Sequence, residues 1–193
     1  MRVITQEAAR KKLWESSTTK EVKRLFDGMA GDWSETRNVP TRKIPIVDAL
    51  ARGGAFGNTA IDLGAGTGLA TQVLAEHFKK IAAIDLSIEM LKNSVEHRVQ
   101  RVCADGAFLP LADRSVDIVL AMNMLLFPIE LERCISTNGF LIWISSRGPA
   151  TPIYLSPNEV IDLMSSVGKN QWQGIASNAG EGSWIVASRI KRA

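Results

Sequence analysis

Residues 61–69 read Ile61-Asp62-Leu63-Gly64-Ala65-Gly66-Thr67-Gly68-Leu69, an apolar run that enters three alternating glycines and then a helical stretch. With no side chain at alternate positions, the backbone can pass close to a ligand and turn its N–H groups toward it at a helix N-terminus. The neighbouring residues separate the ligand types that use such loops. A dinucleotide loop of the form GxGxxG needs a third glycine where this chain has Leu69, and the GxxxxGK(S/T) of phosphate-binding loops is absent. Asp62 sets a negative charge two residues before Gly64, unfavourable beside a pyrophosphate and suited to a cationic amine. Asp85, in Ile84-Asp85-Leu86-Ser87, follows Asp62 by 23 positions. An acid at the end of a second strand, about 20 residues past such a loop, accepts hydrogen bonds from ribose hydroxyls. The chemistry predicted is capture of a nucleoside that carries no polyphosphate.

The elements that must hold these residues follow from periodicity. From Asn58 onward short apolar runs alternate with helical stretches. The runs Ala60–Leu63, Ile81–Ile84, Val99–Cys103, Val116–Ala121 and Phe140–Ile144 read as strands buried on both faces, joined by crossover helices. Ser156, Pro157 and Glu159 form the start of a last helix, with Val160, Ile161, Met164 and Val167 as its apolar face and an end near Gly168. Trp172–Ala176 and Ser183–Ser188 then read as a hairpin around a flexible Asn178–Gly182 turn. The fold class expected is α/β, a doubly wound, mostly parallel seven-stranded sheet ending in an antiparallel C-terminal hairpin. Ahead of it, residues 1–54 read as a helical cap on a core of residues 55–193, the whole a single domain. Val22, Leu25, Phe26, Met29 and Trp33 form one helical stripe, Gly28, Gly31 and Pro40 interrupt the region, and a second short helix spans Thr41 to Arg52.

The segments Asp62-Leu63-Gly64-Ala65-Gly66-Thr67-Gly68, Asp85-Leu86-Ser87 with Met90-Leu91, Ala104-Asp105-Gly106 and Val116-Asp117-Ile118-Val119 resemble the successive motifs of class I S-adenosylmethionine-dependent methyltransferases. The resemblance runs from about Asn58 to Ile144. Phe26-Asp27-Gly28-Met29-Ala30-Gly31-Asp32-Trp33 resembles, more loosely, the start of a small-molecule branch that includes quinone-biosynthesis methyltransferases. It implies a Rossmann-like methyltransferase fold and S-adenosylmethionine as cofactor. Gly64, Ala65, Gly66 and Gly68 would pass under the methionine moiety, and Asp62 would hold its ammonium directly or through water. Asp85 would take the ribose hydroxyls, while Asp105 would accept from the adenine amine beside the Gly106 and Ala107 backbone. Leu86 and Met90 would pack on the purine, and Asn123 would lie near the sulfonium. One departure stands out: only about 17 residues, Asn123 to Gly139, join the fourth and fifth strands. That leaves room for one short helix near Ile129–Ile135, so the acceptor pocket is either shallow or completed by the second subunit of a homodimer.

Methyl transfer is an in-line displacement, for which alignment and desolvation count most and a general base is optional. No catalytic residue and no metal site is assigned. His77 and His97 read as structural residues at helix ends. Phe26, Trp33 and Arg37 could line a lid, and Leu125, Arg147 and Tyr154, the last two in or near the loop after the fifth strand, could touch an acceptor. Asn123-Met124-Leu125-Leu126 lacks the Asn/Asp-Pro-Pro-aromatic motif that the family uses on nucleic-acid amines, so a small, partly hydrophobic acceptor is expected and nucleic acid is disfavoured.

The composition agrees. The 193 residues are 46% hydrophobic and 22% charged, which suits one globular domain and excludes dominant disorder. Ile118–Ile129 is too short and too polar to cross a bilayer, and the N-terminus lacks a secretory apolar core, so a cytoplasmic protein with no membrane association is expected. Cys103 and Cys134 stand alone and read as reduced. Net charge is +3, with the basic excess in residues 1–43 and in Arg189, Lys191 and Arg192, read as solvated surface. The alternatives are methylation of a protein or RNA through the basic N-terminal segment, a non-catalytic S-adenosylmethionine-binding module, and a nicotinamide oxidoreductase, which Leu69 disfavours.

Overall fold

A computed structural model describes residues 14–37 and 39–190, with the side chain of Arg37 outside the described part. Helix α1 spans Ser16–Arg37, and a short 3-10 turn, Pro40–Lys43, leads into α2, Ile44–Arg52. The core then alternates β1 (Thr59–Leu63), α3 (Leu69–His77), β2 (Lys80–Asp85), α4 (Ile88–Lys92), β3 (Gln100–Cys103) and β4 (Val116–Met122). It continues with α5 (Pro128–Cys134), β5 (Ile135–Ser145), α6 (Pro157–Ser166), β6 (Trp172–Ala179) and β7 (Gly182–Arg189).

The seven strands form one sheet in the order β3-β2-β1-β4-β5-β7-β6. β1 to β5 pair in parallel, and β7 pairs antiparallel with both β5 and β6. Strand order reverses between β1 and β4, the switch point at whose carboxyl edge doubly wound sheets bind ligands. Two apolar clusters sandwich the sheet. One gathers Leu63, Ile84, Leu126 and Trp172 under α5 and α6, the other Ile46, Leu74, Ile118 and Trp184 under α2 and α3. The capping box of α6 is complete: Ser156 Oγ accepts from Glu159 N–H at 3.3 Å and Glu159 Oε2 from Ser156 N–H at 3.0 Å. Among the described residues no helix is long and apolar enough to cross a membrane.

Several expectations need correcting. Gly28 and Gly31 do not interrupt α1, which is continuous through both. Each costs about 1 kcal/mol of helix propensity, but packing on either side holds the helix, and Asp27, just before Gly28, accepts from Ser87 Oγ at 2.6 Å. β3 is not buried on both faces. It is an edge strand, and Gln100, Arg101 and Cys103 are exposed because the five-residue α4 covers little of it. The turn between β6 and β7 is tight: Ala179 pairs with Gly182, leaving Gly180-Glu181 as a two-residue connection with Gly180 at φ +57°. His97 lies in a loop beyond the end of α4 at Lys92, whereas His77 does end α3. Arg189 is buried, its side chain 5% exposed and paired with Glu132, while Lys191 and Arg192 lie outside the described residues.

Candidate cofactor and acceptor site

Where β1 meets α3 the chain makes the predicted glycine turn, with Gly64, Gly66 and Gly68 all left-handed at φ +72°, +54° and +89°. At Gly64 the left-handed backbone favours glycine, and a Cβ there would also displace the Met124 side chain, whose Sδ it would meet at 2.5 Å. Asp85 holds the loop from the next strand: its Oδ2 accepts from Gly66 N–H at 2.7 Å and its Oδ1 from Ser87 N–H at 2.8 Å. Burial raises its pKa against these bonds, and Asp27 nearby adds to the rise. At the end of β3, Asp105 Oδ1 accepts from Ala107 N–H at 2.9 Å, and its Oδ2 accepts from the indole of Trp14 at 2.7 Å. The same indole packs edge-on against Phe127, ring centroids 5.2 Å apart.

These groups open onto one cavity of about 400 Å³ at the carboxyl edge of the sheet. Of the residues singled out from the sequence, the structure brings to its wall Phe26, Trp33, Gly64, Ala65, Gly66, Asp85, Leu86, Met90, Asp105, Gly106, Asn123, Leu125 and Arg147. Gly68, Ala107 and Tyr154 do not line it. Gly68 instead faces Ser94, where a Cβ would meet Oγ at 2.6 Å, and Ala107 contributes its amide to Asp105. The side chain of Arg37 lies outside the described residues.

Asp62 is also off the wall, and direct contact with a ligand amine is corrected by its position. It is 1% exposed beneath the loop, where Thr71 Oγ1 donates to it at 2.5 Å. Burial pushes its carboxyl up to about 7, against the opposing Thr71 bond. The folded chain therefore retains a proton that the unfolded chain has lost between about pH 4 and 7, and stability falls as pH rises through that window. Asp62→Asn keeps the shape without the charge. Its urea midpoint is expected to rise relative to wild type between pH 5 and pH 8; an unchanged difference would place the ionised form in the fold.

The sequence reading missed Trp14, Thr67, Arg42, Ser146 and Ile153, which also line the cavity. Trp14 lies eight residues before Val22, in phase with the α1 stripe, and that spacing was the available signal. The stripe itself, Val22, Leu25, Phe26, Met29 and Trp33, faces the cavity and roofs it. Thr67 is 1% exposed with its hydroxyl unpartnered, which marks a place for a ligand group. Asn123 takes the left-handed conformation, φ +52°, at the end of β4, and its amide clamps β5 by donating to Ser146 Oγ at 2.8 Å and accepting from Ser146 N–H at 2.9 Å.

Residues 61–139 match the methyltransferase domain family. A malonyl-[acyl-carrier protein] O-methyltransferase of Marinomonas sp. is 39% identical over 100 residues, 45% of this chain and 37% of that protein. A demethylmenaquinone methyltransferase of Corynebacterium kroppenstedtii is 32% identical over 146 residues, 70% of this chain and 64% of that one. Residues 61–139, the span that holds the glycine loop, Asp85 and Asp105, thus carry a methyltransferase domain. The chain spans less than two thirds of the length of either relative. In fold it is similar to the crystal structure of a SAM-dependent methyltransferase from Aquifex aeolicus, at TM-score 0.64 and 21% identity, over 93% of this chain and 100% of that one.

The cavity suits the family's cofactor. It offers left-handed glycines for a close approach, an unpartnered buried hydroxyl at Thr67, two carboxylates at the ends of β2 and β3, and apolar Leu86 and Met90 between them.

Proposed function

We propose that this chain transfers a methyl group from S-adenosylmethionine to a small, partly hydrophobic acceptor. The observation that carries the reading is the convergence of Asp85, Asp105 and the Gly64–Gly68 loop on one cavity, with Asp85 bonded to Gly66 N–H at 2.7 Å. Asp85 holds the ribose hydroxyls, Asp105 accepts from the purine amine, Leu86 and Met90 cover the purine faces, and Thr67 with the loop amides holds the amino-acid end. When bound, the cofactor supplies an electrophilic methyl on a sulfonium. The protein orients the two partners, and Phe26, Met29 and Trp33 roof them against water, which is where the advantage of proximity arises. Asp62 supports the loop from below rather than touching the ligand. The two relatives are named for malonyl-[acyl-carrier protein] and demethylmenaquinone, which supports an acceptor group of small size.

Trp14 makes a separate prediction. Its indole donates to the oxygen of Asp105 that a purine amine would use. Trp14→Phe keeps an aromatic ring against Phe127 but frees that oxygen, so S-adenosylhomocysteine is expected to bind several-fold more tightly in calorimetry. Weaker binding would mean that the indole assists the purine instead.

The reaction itself is tested by S-adenosylhomocysteine release in the presence of a naphthoquinol, an acyl thioester of malonate, transfer RNA and a basic peptide. Turnover with either small acceptor is expected. Turnover confined to RNA or peptide would assign a macromolecular substrate, and none with any acceptor despite cofactor binding would favour a binding module.

A further inference from the structure

The two edges of the sheet are built differently. At one end β3 is four residues long and carries Arg101, and a short, charged edge discourages the addition of a further strand. At the other end β6 has neither protection. It runs Trp172-Gln173-Gly174-Ile175-Ala176-Ser177-Asn178-Ala179 without a charged residue or a proline, and it pairs with β7 in unbroken register, so no bulge turns it away. Among the described residues no strand lies on its outer side, which leaves a row of backbone N–H and C=O groups free to pair.

The surface beside this edge is apolar as well. Ile175 lies opposite Val186, on the face of the sheet that α2 covers, and is 58% exposed. On α2 the exposed positions Ile44, Val47 and Ala51 are three and four residues apart, so they form one apolar stripe on the outside of the helix. The charges nearby cancel. Arg52 Nε donates to Asp48 Oδ1 at 2.8 Å, and Arg52 Nη2 donates to Ser177 Oγ on β6 at 2.9 Å, which ties the helix to the edge strand and leaves that pair neutral.

We propose that the occupant of this edge is a second copy of the chain, with β6 pairing antiparallel to β6 about a two-fold axis close to Ile175. A strand without charges is complementary to itself in that arrangement, because the axis stands perpendicular to the sheet and keeps both α2 helices on one face. The two Ile175 side chains then meet at the seam, with the α2 stripes beside them. An eight-residue edge is about 27 Å long, and with one helix layer about 20 Å deep, a footprint of about 500 Å² per copy; the pair reaches the total of about 1,000 Å² that a specific interface needs. β5 and β7 stand between this seam and β4, so each cavity stays within one chain.

The test is sedimentation equilibrium of the purified chain over micromolar concentrations, where a species of twice the chain mass is expected. Ile175→Lys sets like charges against each other at the axis and is expected to weaken the dimer by about 100-fold or more, and Val47→Lys by about 10-fold. Both positions are exposed, so circular dichroism and S-adenosylhomocysteine binding are expected to stay as in the wild type. A monomer at every concentration would overturn the second copy as occupant, and a dimer that both variants leave as tight as the wild type would overturn this edge as the interface.

Discussion

Asp85→Ala is expected to weaken S-adenosylhomocysteine binding by at least about 100-fold while leaving the protein folded. A hydrogen bond to a charged group is worth about 1.5–3 kcal/mol, and a carboxylate that serves two ribose hydroxyls contributes two of them. The same side chain restrains Gly66 N–H at 2.7 Å and Ser87 N–H at 2.8 Å, so its loss also loosens the loop on the amino-acid side of the ligand. Asp85→Asn retains one acceptor and should fall between the two. Burial raises the carboxyl pKa, so affinity should begin to fall at a higher pH than an ordinary aspartate would give, because the protonated form no longer accepts at both oxygens. Isothermal titration at pH 8 and pH 5, with circular dichroism to confirm folding, checks both statements. Unchanged affinity in Asp85→Ala would remove the ribose assignment.

The largest stability effect is expected far from the cavity. Glu132 on α5 accepts from Asn170 Nδ2 at 2.7 Å, from Trp172 Nε1 at 2.9 Å and from Arg189 Nε at 3.2 Å, and Arg189 lies over the Trp172 ring at 4.7 Å. This cluster ties α5 to both strands of the C-terminal hairpin. Burial opposes the charge on Glu132, but Arg189 and Asn170 hold its carboxyl below the usual range. Glu132→Ala leaves the Arg189 side chain, 5% exposed, without its counter-charge, at a cost of about 3–5 kcal/mol in urea denaturation. Glu132→Ala with Arg189→Met should recover much of that loss, since the penalty lies in the unpaired charge more than in the missing bonds. A loss below about 1 kcal/mol for the single change would mean that water reaches Arg189.

The parallel sheet with its antiparallel end, and the edge at which the glycine loop and the two acids gather, were legible because both are written as spacing along the chain. A glycine loop after one strand and acids after the next two reach the same edge once the strands lie parallel, whatever the side chains between them do. What the sequence could not distinguish were surfaces that carry the same pattern for different reasons. An apolar helical stripe looks alike whether it packs on a core or roofs a cavity, so Phe26, Met29 and Trp33 were recognised without their partner. Arg189, near the C-terminus among basic residues, reads as solvated until Glu132 and Trp172 are brought beside it by pairings 57 and 17 residues long. Asp62 follows the same logic in reverse. Its place before the loop suggested a ligand contact, but the side chain of a central strand points under α3, and Thr71 meets it there. Trp14 escaped because it precedes the helix that continues its stripe.

The central claim is that the cavity at the β1–β4 switch point is a nucleoside site of the sulfonium type and not a dinucleotide site. Isothermal titration of the folded protein with S-adenosylhomocysteine and, in parallel, with NADH tests it most directly. Saturable binding of S-adenosylhomocysteine at about micromolar affinity, with no heat from NADH, is the predicted result. Binding of NADH, or a folded protein that takes up neither, would contradict it.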